Sequence, residues 1–497
     1  MRRCYPRPQP VISGPPCMSV PLLWTTDAMV AAMGAGRAGA LPAGVPGLSI
    51  DSRTVAPGEA FFAITGENRD GHDFVEAALE VGAALAVVDA GKQQRFPAGA
   101  PLLLVSDVLE ALRDLARAAR ARSQAKIVAV TGSVGKTGTK EALHLALSKQ
   151  GQTHASAASY NNHWGVPLSL ARCSASAVYS VFELGMNHAG EIAPLARLVR
   201  PHVAIITAVE PVHLEFFHSV AAIADAKAEI FLGLERGGAA VLNRDNAQYD
   251  RLAASAGRAG VERIVSFGED PKADARLTAC TLLAEGSLVD AQILGANLRY
   301  RLGAPGRHLV LNSLAVLAAA ALLGADVRLA AQALAELNAG PGRGARLRLL
   351  APGGEILLID ESYNANPASM RAALAVLGQT KRSSHGRRIA VLGDMLELGP
   401  SGRDLHRSLA VSIEQNDIDL VFCCGPLMRS LWEALSLQRR GGYAPTSTQL
   451  EAHVLAAARP GDSVMVKGSL GSRMAGIVKA LERHHRREPA AALGLQA

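Results

Sequence analysis

A glycine-rich stretch at residues 129–143, AVTGSVGKTGTKEAL, contains the residue types that bind nucleotide phosphates. An apolar strand is expected to turn into a helix here, and the free backbone N–H groups and dipole of such a helix attract phosphate. Lys136 would reach the outer phosphates of ATP, and Thr137 would hold magnesium. The alternative, a glycine-rich turn that binds nothing, would not need a lysine and a threonine at these positions. The predicted ATP-binding residues of the loop are Gly132, Ser133, Val134, Gly135, Lys136, Thr137 and Gly138.

Three residues farther along the chain would complete a site for phosphate chemistry. Glu183 ends the apolar strand VYSVFEL, so its carboxylate emerges at the carboxyl edge of the sheet, where it is a natural magnesium ligand. A solvated strand end is the alternative. His213 stands in a predicted loop and Lys227 in an apolar predicted helix, from which a lysine side chain also commonly reaches solvent. These residues alone do not distinguish a kinase, a mechanical ATPase and a ligase.

The order of predicted elements indicates an α/β protein with three domains. Short strands such as AFFAI and LAVVDA alternate with turn-rich segments over residues 18–105, which predicts a small α/β domain. Over residues 106–338 apolar strands alternate with helices, which is typical of a doubly wound, mainly parallel sheet. The alternation restarts after AGPGRGAR and predicts a Rossmann-like α/β domain over residues 339–497, with a loose tail after about residue 483. The proline-rich residues 1–17 are expected to lie outside the fold, with Met18 as a candidate start.

The composition is that of a globular protein whose positive charge suits acidic small substrates. The 497 residues are 49% hydrophobic and 19% charged, with 51 Lys and Arg against 44 Asp and Glu. The sequence contains no long basic stripe with interleaved aromatic residues, which is the pattern that indicates nucleic-acid binding. The six cysteines lack the spacing of a zinc or redox site, which favours free thiols in a reducing cytoplasm. The most apolar segment, LVLNSLAVLAAAALLGADV, is interrupted by Asn312 and Ser313, and predicts a buried helix instead of a membrane span. We therefore expect a cytoplasmic protein without membrane insertion.

A series of short motifs follows in a characteristic order between about residues 48 and 475. They are TGSVGKTGTKE, YNNHWGVP, FELGMNHAGEI, HLEFF, KAEIF, LNRDN, DESYNANPASM, LGDMLELG and VKGSLGSRM. In type and order they resemble the Mur ligases of peptidoglycan synthesis. The long form of the phosphate-loop motif has a glycine at the position of Val130. The short loop of this family reads GxxGKT and needs no glycine there. Within the family, YNANP and GDMLELG resemble the members that add D-alanyl-D-alanine to UDP-N-acetylmuramoyl-tripeptide.

The resemblance implies an ATP-dependent, ADP-forming ligase with a nucleotide-sugar module, a central P-loop ATPase and a C-terminal domain that closes over both. ATP would phosphorylate the terminal carboxylate of the muramoyl tripeptide, and the amine of D-alanyl-D-alanine would attack the acyl phosphate. The residue types agree, because a transferring phosphoryl group needs positive charge around it. By the same resemblance, Lys227 reacts with carbon dioxide to form a carbamate, and His213 helps hold a second magnesium ion. The implied catalytic residues are Lys136, Lys227, His213 and Glu183, and the implied metal ligands are Thr137, Glu183, His213 and the Lys227 carbamate.

Residues outside the loop resemble the remaining ATP contacts of the family. Asn312 matches an adenine-contacting asparagine, although the family usually has a further asparagine where this chain has Leu309. Arg343, in the hinge-like GPGRGAR, resembles an arginine that reaches the ATP phosphates after closure; a surface arginine is the alternative. Asp360 and Glu361 stand where many relatives have two aspartates, and the acidic group would face the ATP ribose.

Further polar residues resemble substrate contacts. Those of the first domain would meet the uridine diphosphate, two asparagines of the central domain would line the muramoyl-peptide channel, and those of the C-terminal domain would contact peptide or dipeptide. Solvated turns are the alternative for each. The far carboxylate of the dipeptide would pair with the last two cations of the set. The residues are Ser52, Arg53, Asn161, Asn162, Tyr363, Asn364, Asn366, Asp394, Glu397, Lys467 and Arg473.

Other functions stay open at this point. A sister ligase that adds a single amino acid, or a folylpolyglutamate synthase, shares the ATPase core, although SYNANP and the nucleotide-sugar module count against both. A P-loop ATPase that moves or binds a partner would hydrolyse ATP without an amine acceptor. We expect a monomer that binds ATP, two Mg²⁺ ions, UDP-N-acetylmuramoyl-tripeptide and D-alanyl-D-alanine, and no nucleic acid. Either meso-diaminopimelate or lysine fits as the third residue of the tripeptide.

Overall fold

The computed structural model describes residues 21–157, 159–212, 214–383 and 385–487. The predicted N-terminal tail with Met18, the catalytic candidate His213 and the last ten residues lie outside these ranges. The chain divides into two compact units, one ending at Ala118 and one beginning at Ala119. The first unit contains one main sheet and the second contains two. The predicted domain boundaries near residues 105 and 338 stay predictions.

The first unit is built on a five-stranded sheet. Its elements are β1 Trp24–Thr25, α1 Thr26–Met33, β2 Gly36–Ala38, β3 Gly44–Val45, β4 Leu48–Ser49, β5 Ala60–Phe62, α2 Val75–Glu80, β6 Leu85–Asp89, β7 Leu102–Val105 and most of α3 Val108–Arg122, whose last residues belong to the second unit, with 3-10 turns at Gly71–Phe74 and Ala90–Arg95. The strand order is β2-β7-β6-β5-β4, in which only β2 runs antiparallel to its neighbour. The predicted strands AFFAI and LAVVDA form β5 and β6. Phe61, Val75, Ala86 and Leu102 belong to the core of this unit.

The first sheet of the second unit has nine strands. Its elements are β8 Lys126–Thr131, α4 Lys136–Ser148, β9 Thr153–Ala155, α5 Gly165–Ala171, β10 Tyr179–Glu183, α6 Ile192–Val199, β11 Val203–Ile206, α7 Val220–Ala228, β12 Ala239–Asn243, α8 Tyr249–Arg258, β13 Arg263–Gly268, β14 Ala275–Leu283, β15 Gly286–Ile293, β16 Ala296–Leu302, α9 Arg307–Leu322 and α10 Val327–Ala333, with 3-10 turns at Glu229–Gly233 and Leu334–Glu336. The strand order is β16-β15-β14-β13-β12-β11-β8-β10-β9. All neighbours are parallel except β14, β15 and β16, which form an antiparallel meander at the edge. Because β8 lies between β10 and β11, the loop that leaves its carboxyl end sits at a switch point of the sheet, where ligands bind in such folds.

The second sheet of this unit has seven strands with a hydrophobic cluster on each face. Its elements are β17 Ala345–Ala351, β18 Gly354–Glu361, α11 Pro367–Gly378, β19 Arg388–Gly393, α12 Gly402–Gln415, β20 Leu420–Cys424, α13 Arg429–Ala434, β21 Arg440–Ala444, α14 Ser447–Ala457, β22 Ser463–Lys467, α15 Ala475–His484 and β23 Arg486–Arg487, with 3-10 turns at Gly399–Ser401, Leu437–Arg439 and Leu470–Ser472. The order is β21-β20-β19-β22-β18-β17-β23, and the strands from β21 to β18 are parallel. The α/β class with mainly parallel sheets is therefore confirmed.

The most apolar segment of the sequence forms α9, as predicted. Its residues from Ser313 to Ala320 are all buried, and those from Leu314 to Ala320 belong to the core of the nine-stranded sheet. In the described part of the chain, no helix combines the length and the apolar character needed to cross a membrane.

Candidate functional site

The glycine-rich loop joins β8 to α4 through two glycines that no other residue could replace without strain. Gly132 has a φ of +151° and Gly135 a φ of +84°, in the region that side chains disfavour. A Cβ atom on Gly132 would lie 2.0 Å from Thr207 Oγ1, and one on Gly135 would lie 2.6 Å from Asn312 Nδ2. The loop is therefore packed tightly between the segment after β11 and α9.

Hydrogen bonds from the segment after β11 fix the loop backbone. Thr207 Oγ1 donates to the carbonyl oxygen of Val134 at 2.6 Å. The hydroxyl of Ser133 donates to the carbonyl of Glu210 at 3.1 Å and accepts the Glu210 N–H at 2.9 Å. Thr207 and Glu210 were not among the predicted site residues. Their part depends on a neighbouring strand, and no local motif in the sequence signals it.

Helix α9 covers the other side of the loop. Asn312 lies against Gly135, and Leu309 Cδ2 would be 3.6 Å from a Cβ atom on Gly138. The leucine that departs from the family pattern thus lies beside Gly138, in the first turn of α4. Asn312 lies beside the phosphate loop, and its predicted contact with adenine stays a prediction.

Thr137, Glu183 and Asn161 meet at the carboxyl end of β10. Glu183 is buried, with 1% of its surface exposed. Its Oε2 accepts a hydrogen bond from Thr137 Oγ1 at 2.9 Å, and its Oε1 accepts one from Asn161 Nδ2 at 2.8 Å. The structure therefore brings together the hydroxyl and the carboxylate that were predicted as magnesium ligands.

Two lysines face the same region. Lys136 Nζ donates to the carbonyl of Gly132 at 2.7 Å. Burial lowers the pKa of Lys136; Glu183 opposes this shift, and the charge of Arg343 adds to it. Lys227, in α7, is only 2% exposed, and burial followed by the charge of Lys136 lowers its pKa well below the ordinary value. Both effects favour the neutral amine form of Lys227, beside the lysine of the phosphate loop.

Arg343 reaches the loop from the beginning of the C-terminal part of the chain. Its guanidinium donates to Ser159 Oγ at 2.8 Å and lies 3.9 Å from the centre of the Tyr363 ring. Ser159 Oγ is 3.5 Å from Thr137 Oγ1. Ser159 was not predicted, although it directly precedes the motif YNNHWGVP. Arg343 thus lies close to the phosphate loop, and its predicted contact with the ATP phosphates stays a prediction.

The acidic pair at the end of β18 is engaged within the protein. Asp360 accepts the Gly342 N–H at 2.8 Å and two hydrogen bonds from Ser362. Glu361 Oε2 lies 3.1 Å from Lys467 Nζ, which also donates to the carbonyl of Asn364 at 3.0 Å. Lys467 is 3% exposed, so these partners hold its ammonium away from solvent.

Several other predicted substrate contacts have structural partners. Asn366 caps the amino end of α11, and Asn162 accepts the backbone N–H of Gly165 at the start of α5. Asp394 is buried and accepts the N–H groups of Leu427 and Met428. Whether these side chains also contact substrate stays a prediction.

Tyr363, Asn364, Glu397 and Arg473 are exposed. Glu397 and Arg473 adopt left-handed backbone conformations, with φ of +62° and +53°. In the first unit, Ser52 is half-buried, while Arg53 is exposed and forms a two-pronged ion pair with Asp51. Of the remaining catalytic candidates, His213 lies outside the described residues.

Comparisons with known proteins agree with the order of these parts. Family models match residues 45–120 as "Mur ligase family, catalytic domain", residues 130–320 as "Mur ligase middle domain" and residues 345–470 as "Mur ligase, glutamate ligase domain". The UDP-N-acetylmuramoyl-tripeptide--D-alanyl-D-alanine ligase of Escherichia coli (strain K12) is 34% identical over 439 residues, which are 88% of this chain and 94% of that protein.

Two solved structures of similar proteins give the same result. The crystal structure of MurF from Acinetobacter baumannii is 29% identical, with a TM-score of 0.80 over 93% of this chain and 100% of that one. MurF ligase from Thermotoga maritima in complex with ADP is 25% identical, with a TM-score of 0.72 over 88% of this chain and 97% of that one.

Proposed function

The chain belongs to the Mur ligase family, and we propose that it joins D-alanyl-D-alanine to UDP-N-acetylmuramoyl-tripeptide in an ATP-dependent, ADP-forming reaction of peptidoglycan synthesis. The relative from Escherichia coli has this activity as its name and matches nearly the whole chain. The observation that carries the proposal is the convergence of Lys136, Thr137, Glu183 and Arg343 at the carboxyl end of β8. Two cationic side chains and a pair of oxygens that can bind a metal ion, all at one point, suit a transferring phosphoryl group.

The proposed reaction has two steps. A carboxylate oxygen of the tripeptide bonds to the γ-phosphorus of ATP while the bond to the β,γ-bridging oxygen breaks, which gives ADP and an acyl phosphate. The dipeptide amine then attacks the acyl carbon, loses a proton, and displaces inorganic phosphate. Lys136 and Arg343 would stabilise the negative charge on the phosphoryl oxygens, and electrostatic stabilisation of this kind dominates the catalysis of phosphoryl transfer.

Magnesium fits the oxygen ligands beside the loop. Thr137 supplies a hydroxyl and Glu183 a carboxylate, already 2.9 Å apart, and both are ligand types that Mg²⁺ prefers. A bound ion would offset charge on the ATP phosphates. The chain's own part is to hold these oxygens in place, since Asn161 orients the carboxylate through its second oxygen.

Lys227 is proposed to act as a carbamate. Its pKa is low because the side chain is buried, and no described residue forms a hydrogen bond with its Nζ. The neutral amine would add to carbon dioxide with loss of a proton, which converts the lysine side chain into a negatively charged carbamate. The new charge would be stabilised by nearby Lys136, which disfavours a second cation there.

We assign the binding of the far carboxylate of D-alanyl-D-alanine to Arg473. Lys467, the other predicted cation, is buried and already bound by Glu361 and Asn364. Arg473 is exposed and lines a pocket of about 410 Å³. An exposed guanidinium can bind a carboxylate through two hydrogen bonds.

A substrate panel tests the proposal. The purified protein is given ATP, Mg²⁺ and combinations of nucleotide-sugar peptides and amines, and ADP release and peptide product are measured. We expect turnover with UDP-N-acetylmuramoyl-tripeptide plus D-alanyl-D-alanine, and an orders-of-magnitude loss in Lys136→Ala. Turnover with a single amino acid instead of the dipeptide would assign a sister ligase. ATP hydrolysis that ignores the amine would exclude ligase activity.

A further inference from the structure

The guanidinium of Arg343 is held between two side chains, Ser159 and Tyr363. We propose that both are positioning residues for Arg343, which together place its charge beside Thr137 so that the loop and the arginine bind the nucleotide phosphates as a unit. This inference rests on the proposed nucleotide site and adds two residues to it. It also gives Tyr363 a part different from the predicted contact with peptide.

The backbone on either side of Arg343 is fixed to the end of β18. The Gly342 N–H donates to Asp360 Oδ2 at 2.8 Å, and the Gly344 N–H donates to the Asp360 carbonyl at 2.7 Å. Gly342 has a φ of +72°, and a Cβ atom there would lie 2.9 Å from Tyr363 Cβ. The turn therefore presses against Tyr363, and the base of the Arg343 side chain starts from a defined position.

The Tyr363 ring restricts the far end of the same side chain. The guanidinium carbon lies 3.9 Å from the ring centre, within the range of an attractive cation–π contact. An arginine has many rotamers, so a flat surface on one side removes much of its freedom. This contact needs the ring but not the tyrosine hydroxyl.

The chain of hydrogen bonds from Arg343 to Glu183 has one consistent direction. A guanidinium can only donate and a carboxylate can only accept. With Arg343 donating to Ser159 and Thr137 donating to Glu183, the Ser159 hydroxyl is left to donate toward Thr137 Oγ1, 3.5 Å away. Ser159 thus accepts from the arginine and faces the loop threonine with the same oxygen.

The charges around these hydrogen bonds favour the binding of an anion. The charges of Arg343 and of the buried Glu183 both act on Lys136, with opposite signs. Bringing an arginine toward a lysine costs energy unless an anion binds both. A polyphosphate carries the charge that this arrangement needs, and the two positioning residues keep Arg343 in place for it.

Nucleotide affinity measured without peptide substrates tests the inference. A non-hydrolysable ATP analogue with Mg²⁺ is titrated calorimetrically into the full-length protein. We expect Ser159→Ala and Tyr363→Leu each to weaken binding three- to tenfold, and Tyr363→Phe to stay within twofold of wild type because the ring is kept. In an Arg343→Ala background, Ser159→Ala and Tyr363→Leu should have no further effect.

A second cation–π pair in the chain supplies a matched control. Arg244 lies 4.8 Å from the centre of the Tyr249 ring, and neither residue contacts the phosphate loop in the described structure. Tyr249→Leu should leave the affinity unchanged. Thermal unfolding of each variant shows whether it is folded, and Tyr363→Gln replaces Tyr363→Leu if the latter unfolds early.

Three results would overturn the inference. The first is an unchanged nucleotide affinity in Tyr363→Leu, which is expected if Tyr363 binds only peptide. The second is an equal loss of affinity in Tyr363→Phe and Tyr363→Leu. The third is that Ser159→Ala and Tyr363→Leu keep their full effects in the Arg343→Ala background. These outcomes are independent of ligation. If the wild-type protein binds the nucleotide but makes no peptide product, the proposed function fails and the positioning of Arg343 can still be measured.

Discussion

Thr137 Oγ1 donates a hydrogen bond to Glu183 Oε2 at 2.9 Å, and this bond joins the first turn of α4 to the end of β10. The two residues are 46 positions apart in sequence. Since β8 and β10 are parallel neighbours, the hydroxyl after one strand meets the carboxylate at the end of the other. The geometry of the sheet thus creates the pair of oxygens proposed to bind magnesium.

Thr137→Val should lower turnover more than 100-fold and abolish saturation by millimolar Mg²⁺. Valine keeps the shape of threonine but removes the oxygen, and each ligand lost from a metal site weakens positioning of the phosphates. Thr137→Ser is the control, since it keeps the hydroxyl. ADP release measured against Mg²⁺ concentration checks this. A Thr137→Val protein with the Mg²⁺ dependence of wild type would contradict the assignment.

Gly132→Ala should disrupt nucleotide binding, whereas Gly237→Ala should not. Both glycines have positive φ, at +151° and +76°, so both substitutions strain the backbone by about 1 kcal/mol. The new methyl group at 132 would also lie 2.0 Å from Thr207 Oγ1, while at 237 it meets open space. We expect at least a tenfold loss of affinity for an ATP analogue in Gly132→Ala only. Equal affinities in the two variants would show that the tight packing of the loop is unimportant.

Asp462→Asn should lower the free energy of unfolding by about 2 kcal/mol, because it removes a buried carboxylate that accepts several hydrogen bonds. Asp462 is 1% exposed, and it accepts the Arg387 guanidinium at 2.7 Å and the backbone N–H groups of Arg387 and Arg459. Asp290→Asn is the matched control: its pair with Arg299 is exposed, so this substitution should destabilise the protein much less. Denaturant unfolding of both variants compares them. A similar loss in each would mean that burial does not set the value of these pairs.

Much of the fold could be predicted because the central strands are mostly apolar. Apart from Lys126, the residues of β8, β10 and β11 are buried on both faces of the sheet, so each strand appears as a short, mainly hydrophobic run. The meander of β14 to β16 was not predicted. Buried residues in these strands alternate with more exposed ones, as in Ala296–Leu302, and such a pattern with polar positions is easily taken for a loop.

The parts of the site that are local in sequence were predictable, and those made by tertiary contacts were not. The spacing of the loop residues Gly132 to Thr137 is enough to predict phosphate binding. Ser159 and Thr207 carry ordinary hydroxyl groups, and only the fold places them against Arg343 and Val134. The capture of Lys467 by Glu361 likewise follows from the pairing of β18 with β22.

Folding stability should fall as the pH drops from about 6.5 toward 4, in part because of His154. Burial lowers the pKa of His154 to about 4, against an ordinary value near 6.5, and the charge of Arg172 adds to the shift. Between these values the unfolded chain binds a proton that the folded protein does not, so acid favours unfolding. The ring nitrogen Nε2 lies 2.7 Å from the carbonyl of Ser169. Denaturant unfolding across this range should show a smaller pH slope in His154→Gln, and an identical slope would contradict the prediction.

Lys227 should carry a carbamate that can be detected without turnover. A neutral amine is required for addition of carbon dioxide, and burial together with the charge of Lys136 lowers the pKa of Lys227, which favours that form. In ¹³C-bicarbonate, the protein should give a carbamate NMR signal that is absent in Lys227→Met and weakens as acid protonates the amine. Lys140 offers a control lysine of equal burial, but its Nζ donates to the Ser156 carbonyl at 2.7 Å and lies 2.8 Å from Glu141, so it should not react. The signal should therefore persist in Lys140→Arg.

Ligation should fall by orders of magnitude in Lys227→Ala and partly return with added small carboxylates, which would occupy the vacated anionic position. A signal that survives in Lys227→Met, or near-normal turnover of Lys227→Ala in bicarbonate-free buffer, would exclude the carbamate.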